Sequence, residues 1–342
     1  MVWAVVSSIW APDGLATLWG ASRVVLVVVA GLVFLAAIRG LGGDHREYAQ
    51  QALCYGTVAF IALLAIEYIS DGAFVRFLLG ERISPGLQYT NHASAIFGVL
   101  IWPVGFVVSR RAESDGVLAL CILGALVVIW VLPMKASLVA LVFGIIAAGM
   151  TYIFRMRAMY FIAASIAVSM LVLPLPFTIP ASQQVIADQR RDIRLNWQER
   201  LVAWEFVSNK AMKAPLLGHG FRASRQIGVD AGSIRVAEPN NPGSMGKLRK
   251  LPLHPHNWVL QLWLELGLIG VGFGVLLVTG LVHAIGKYRG DRIFTTAAMG
   301  SLVTFFCIAS LSFGFWQKWW LATGWLALGA LALVAPRPED RS

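Results

Sequence analysis

Charge is scarce in this chain. Asp, Glu, Lys and Arg fill 13% of its 342 positions, whereas an ordinary soluble domain carries roughly 25%. Cysteine is nearly absent as well. Cys54, Cys121 and Cys307 are odd in number and each lies inside an apolar run, which excludes a disulfide frame or a thiolate metal site and leaves small buried hydrophobes. There is no glycine-rich nucleotide fingerprint and no basic n-region of a cleavable signal. What remains is hydrocarbon: 58% of residues are hydrophobic and mean hydropathy is +0.70. A soluble core cannot hide that much apolar surface, so the composition predicts an all-α, polytopic membrane helix bundle.

A spanning helix needs about 20 apolar residues. Nine segments qualify, near 20–39, 50–69, 91–109, 116–133, 137–153, 158–179, 257–284, 294–313 and 317–335. The predicted organisation is N-terminal transmembrane helices over 1–179, one long polar loop over 180–255, and C-terminal transmembrane helices over 256–342. Alternate short connections hold eleven basic residues (Arg39, Arg46, Arg110, Arg111, Arg155, Arg157, Lys287, Arg289, Arg292, Arg337, Arg341) against four on the other side (Arg76, Arg82, Lys135, Lys318). The basic side is expected to be cytoplasmic. The long loop then faces the periplasm or the cell exterior. Residues 1–19 are apolar but broken by Pro12 and Asp13, and by the loop rule they lie outside, as though an earlier span should precede them.

The long loop carries twelve basic and six acidic residues. That excess calls for an anionic partner. Nucleic acid is not expected outside the membrane, which leaves lipid head groups or a phosphate-bearing lipid. Within the loop, DIRLNWQERLVAWEFVSNKAM has helical periodicity, with Leu195, Leu201, Trp204 and Val207 among charged neighbours, and predicts an amphipathic helix. The stretch 229–250, rich in Gly, Pro, Asn and Ser, reads as a lid-like loop. Gly267, Gly270 and Gly274 recur at helical spacing and suggest a smooth packing face.

The run HPHNWVLQLWLELGLIGVG, residues 254–272, places His254, His256 and Asn257 at the mouth of an apolar span. A helix cap explains them without chemistry. A zinc site needs more ligands than these residues supply, so no metal or cofactor is expected. A general base is the sharper reading, because neutral imidazole suits proton abstraction near pH 7. Glu265, nine residues beyond His256, is out of phase with it on a straight helix but is a functional suspect as an intramembrane carboxylate.

His256-Asn257, followed after nine residues by Gly267-Leu268-Ile269-Gly270, resembles the signature of the O-antigen ligase family, which includes polysaccharide polymerases and protein O-oligosaccharyltransferases. Arg200-Leu201-Val202-Ala203-Trp204 and Pro215-Leu216-Leu217-Gly218-His219-Gly220 resemble that family's Arg-x-x-x-Trp and Pro-Leu-x-Gly-x-Gly stretches. Tyr89-Thr90-Asn91-His92 resembles its upstream element at the start of a span. The resemblance implies a metal-independent, inverting glycosyltransferase. Its donor is a glycan on undecaprenyl pyrophosphate, and its acceptor is a hydroxyl of lipid A-core, of another glycan or of a protein. It makes His256 the catalytic base and Arg200 a pyrophosphate-gripping residue. Arg200 matches the second of the family's two arginines; where the first stands in a Ser-Arg pair, this chain reads Met134-Lys135-Ala136-Ser137, keeping the charge and losing the bidentate fork. His254, Asn257, Asn91, His92 and Arg222 complete the expected substrate-binding set. A non-enzymatic lipid-linked glycan transporter is the reading from another class.

Overall fold

The computed structural model describes residues 1–79, 90–181, 194–238 and 241–337. It is a multi-pass helical membrane protein. Among the described residues, seven helices are long and apolar enough to cross a membrane, among them Gly14–Arg39, Gly43–Ile69, Thr90–Arg111, Lys135–Phe154 and Arg292–Leu311. Gly116–Val131 and Lys318–Val334 are shorter apolar helices. All nine segments expected from hydropathy therefore fall on helices. The first begins at Gly14, earlier than residue 20, because Asp13 Oδ1 accepts from the Ala16 amide at 2.9 Å and caps it.

The chain divides into two compact units. One comprises Ala30–Ile162, Val282–Ile308 and Ala322–Ser342. Its core gathers Phe97, Trp102, Phe106, Leu141 and Phe294. Close helix approach there depends on small residues: a Cβ on Gly144 would lie 2.2 Å from Thr304 Oγ1, and Trp102 Nε1 donates to that same hydroxyl at 3.1 Å. Arg46, Arg110, Arg111, Arg292 and Arg337 line one basin in this unit. Four of the five loops that the charge bias groups together thus meet at one basin. Glu67 is buried, and its carboxylate accepts from the Val75 amide at 3.0 Å. It serves the start of helix Ala73–Leu79.

The other unit comprises Met1–Val29, Ala163–Leu281 and Ala309–Leu321. The expected amphipathic helix is α1, Leu195–Ala211. Its inward face is carried by Gln198, Val202, Ala203, Val207 and Ala211, one position out of phase with Leu201. A short helix, α2, covers Ala223–Ala231. The expected lid-like loop is in fact an antiparallel hairpin, β1 Ser233–Glu238 with β2 Asn241–Arg249. The strands pair with Ser233 opposite Arg249 and Ile234 opposite Leu248, despite the turn-rich composition. The membrane-crossing helix α3, Trp258–Gly286, follows.

Residues 1–19 are not an idle stub. Ser7 Oγ accepts from the Phe221 amide at 2.9 Å, Thr17 Oγ1 donates to Phe221 O at 3.1 Å, and Trp3 Nε1 donates to Leu266 O at 3.2 Å. The segment is packed into the same unit as the histidine run.

Candidate active site

The Pro-Leu-x-Gly-x-Gly and Gly-Leu-Ile-Gly stretches interlock. Gly267 is not part of a smooth helical face. It breaks α3 with φ 63° and ψ −162°, a conformation essentially reserved for glycine. The break frees backbone groups that the other stretch satisfies: His219 N donates to Leu264 O at 2.9 Å, Gly220 N to Glu265 O at 2.9 Å, and Leu268 N to Pro215 O at 2.8 Å. A Cβ on Gly267 would meet Leu216 O at 2.4 Å, and one on Gly218 would meet Glu265 O at 2.6 Å. Both positions need glycine because two backbones touch there.

The histidines precede the helix. His256 has φ 54° and stands before Trp258, not within a first helical turn. Asn257 is the cap: its Oδ1 accepts from the amides of Val259 at 3.0 Å and Leu260 at 3.1 Å. The bend between the imidazoles is held from α1, where Trp204 Nε1 donates to Pro255 O at 2.8 Å. The tryptophan of Arg-x-x-x-Trp therefore anchors the histidine run. Arg200 lies one helical turn before it, with its guanidinium 4.4 Å from the Trp197 ring.

His256 Nδ1 lies 2.5 Å from Ser312 O. A carbonyl can only accept, so Nδ1 carries the hydrogen and Nε2 of the neutral ring keeps its lone pair. Burial pulls His256 below its ordinary pKa; the Ser312 carbonyl opposes this, the Arg200 charge adds to it, and Glu199 opposes it. His254 packs edge-on against His256 with ring centroids 4.3 Å apart. Burial, then His256 and Arg225, push His254 down to about 3. Trp319 Nε1 donates to Gln317 Oε1 at 3.1 Å, which turns the Gln317 amide nitrogen toward His254 Nε2 at 3.2 Å. The arrangement can hold one imidazole uncharged, with a fixed basic nitrogen, beside a guanidinium.

Arg222 belongs to the same unit. It adopts φ 61° at the start of α2, its amide donates to Glu265 Oε2 at 2.8 Å, and its side chain lies against Gly20. Burial lowers its pKa, as do Arg225 and Arg23, while Glu265 opposes them. The remaining expected residues fall in the other unit. Lys135 Nζ donates to Trp130 O at 2.6 Å and Leu132 O at 3.2 Å. Asn91 Oδ1 is buried without a hydrogen-bond partner, and His92 is exposed. Tyr89 lies outside the described residues. Among the described residues no three His, Cys, Asp or Glu side chains converge as a metal ion would require. Sequence reasoning missed Ser312, Gln261, Trp316 and Gln317. The only available hint was that Glu265 is an isolated carboxylate in an apolar run.

The O-antigen ligase family profile matches residues 98–273, just over half of the chain and including the two interlocked stretches. Three rickettsial proteins with the name "Putative polysaccharide ligase" are similar along most of their length. The Rickettsia conorii protein is 29% identical over 300 residues, covering 86% of this chain and 69% of the relative. The Rickettsia typhi protein is 27% identical over 320 residues, covering 92% and 75%, and that of Rickettsia prowazekii is 27% identical over 293 residues, covering 84% and 69%. No solved structure matches. By the extent of the profile match and the motifs inside it, the chain belongs to the O-antigen ligase family.

Proposed function

We propose that the protein is a metal-independent, inverting glycosyltransferase. In this reading it moves a glycan from undecaprenyl pyrophosphate to an acceptor hydroxyl, with ligation to lipid A-core as the reaction. The observation that carries the reading is the His256–Ser312 contact, because it leaves Nε2 as a positioned, uncharged base. The acceptor oxygen attacks the donor's anomeric carbon from the face opposite the pyrophosphate. As that bond forms, the hydroxyl proton passes to Nε2, the bond to the pyrophosphate oxygen breaks, and undecaprenyl pyrophosphate leaves. Arg200 and Arg222 would hold the anionic leaving group. His254 and Asn257 would line the sugar-binding path. The loop over 180–255 is assigned to the periplasmic side of the inner membrane, on the loop-charge bias.

Deletion of the encoding gene, read on a glycan gel, tests the reaction. Loss of long chains from lipid A-core with lipid-linked glycan retained supports ligation. Single-repeat products on lipid A-core would instead make the protein a polymerase. Purified His256→Gln should bind donor and lose about 10²–10⁴-fold in turnover. A near wild-type rate would end the base assignment.

A further inference from the structure

Glu265 sits on the membrane-crossing helix α3 and is fully buried, at 0% exposure. A carboxylate in such surroundings is costly unless its oxygens are satisfied. Four donors surround it: the Arg222 amide at 2.8 Å, Ser224 Oγ at 2.5 Å, Gln261 Nε2 at 3.1 Å and Trp316 Nε1 at 2.7 Å. They come from three places in the chain, namely the start of α2, the preceding turn of α3, and the turn over residues 312–317.

That last turn also serves the histidines. Its Ser312 carbonyl holds His256 Nδ1, and its Gln317 amide meets His254. Two further residues tie the turn to α3: Trp316 binds Glu265 directly, and the Phe315 amide donates to Gln261 Oε1 at 2.9 Å. Gln261 therefore bridges, giving its nitrogen to Glu265 and its oxygen to the turn.

We propose that Glu265, acting with Gln261, is a positioning residue for His256: it fixes the 312–317 turn, and the turn's Ser312 carbonyl fixes which imidazole nitrogen is basic. The proposal rests on His256 being the base, but its structural half is separately measurable.

The bridge makes a specific swap informative. In Glu265→Gln alone, the new amide nitrogen faces either the Gln261 nitrogen and Ser224 or the Arg222 and Trp316 donors. Donor then meets donor, and turning Gln261 to relieve this would oppose the Phe315 amide. Adding Gln261→Glu removes the conflict. The amide nitrogen introduced by Glu265→Gln then donates to the new carboxylate, its oxygen accepts from Arg222 and Trp316, and the carboxylate still accepts from Phe315.

The full-length protein in lipid nanodiscs is assayed with a lipid-pyrophosphate glycan donor, and the His256 tautomer is read by ¹⁵N-histidine NMR, assigned by difference from His256→Gln. Glu265→Gln should lose about 10- to 100-fold in kcat, the scale of a small misplacement of a catalytic group. Donor KM should change less than about threefold. The Nδ1–H signal of His256 should weaken, and the double variant should restore both kcat and tautomer. Wild-type kcat with an unchanged Nδ1–H signal in Glu265→Gln would overturn the proposal, as would a double variant that folds and recovers neither readout. If Glu265→Gln does not fold, Trp316→Phe removes one tie from the turn and must shift the same NMR signal. Failure of the base assignment would show differently, as an active His256→Gln enzyme whose parent still carries the Glu265-dependent tautomer.

Discussion

The Trp204 indole nitrogen donates to the Pro255 carbonyl at 2.8 Å, across 51 positions of sequence. One end of this contact is the loop helix bearing Arg200, and the other is the bend between His254 and His256. The same ring packs edge-on against Phe177 with centroids 5.9 Å apart. Trp204 thus couples the cation of the site to its imidazoles.

Trp204→Phe keeps most of the ring packing and deletes the hydrogen bond. Leaving Pro255 O without its donor costs about 1–3 kcal/mol, which thermal unfolding in detergent reads directly. Turnover should fall more than donor affinity, because His256 loses its fixed approach while Arg200 stays on its helix. A proportional loss of both would mean that the tryptophan only stabilises the fold.

The bundle was legible because hydrophobic length is a local property: nine apolar runs became nine helical segments. The site was legible only in part. Asn257 capping and the Arg200–Trp204 pairing on one helix face follow from short-range spacing. Ser312 contributes a backbone carbonyl, which has no side-chain signature at all. Ser224 and Trp316 reach Glu265 across 41 and 51 residues, so no window of sequence contains the contact. Gly267 was misread because helical spacing alone suggests packing. Its actual role depends on Leu216 and Gly218 arriving from a distant segment. The hairpin over 233–249 was hidden by a turn-rich composition that pairing overrides.

Gly267→Ala should be among the most damaging single-methyl changes. The positive-φ, extended-ψ conformation alone costs on the order of 1–3 kcal/mol for a residue with a Cβ. The added carbon would also sit 2.4 Å from Leu216 O and 2.6 Å from Gly218 N, where backbone must move. Gly280→Ala, on the same helix with no atom within 4 Å of its Cβ position, is the control and should be neutral. Monodisperse elution and an unchanged Tm for Gly267→Ala would show that the interlock is not rigid.

Lys135 now spends two of its three ammonium hydrogens on Trp130 and Leu132 carbonyls, with the Trp130 ring 5.6 Å away. An additional anion could claim the third hydrogen. Lys135→Ala is expected to raise donor KM about tenfold, the range of one charge-assisted hydrogen bond, with kcat little changed. Lys135→Arg should stay close to wild type. A wild-type KM in Lys135→Ala assigns the lysine to the helix turn alone.

The pH dependence of transfer follows from the two histidines. His254 is pushed down to about 3, so it stays neutral across the working range and contributes no limb near neutrality. His256 is also lowered, by burial first and by Arg200. Catalysis requires the unprotonated Nε2, so activity should persist as pH falls past the ordinary histidine value of about 6.5. It should disappear at a lower pH, where His256 finally protonates. Removing the Arg200 charge relieves one cause of that lowering, so Arg200→Gln should move the acid limb of kcat toward higher pH, besides weakening donor binding. The Ser312 carbonyl acts oppositely, because it stabilises the protonated ring. Loosening the 312–317 turn should therefore move the limb to lower pH. Opposite displacements in Arg200→Gln and Trp316→Phe, at matched fold stability, would trace the limb to His256. A limb that stays in place in both variants would assign it to a different group.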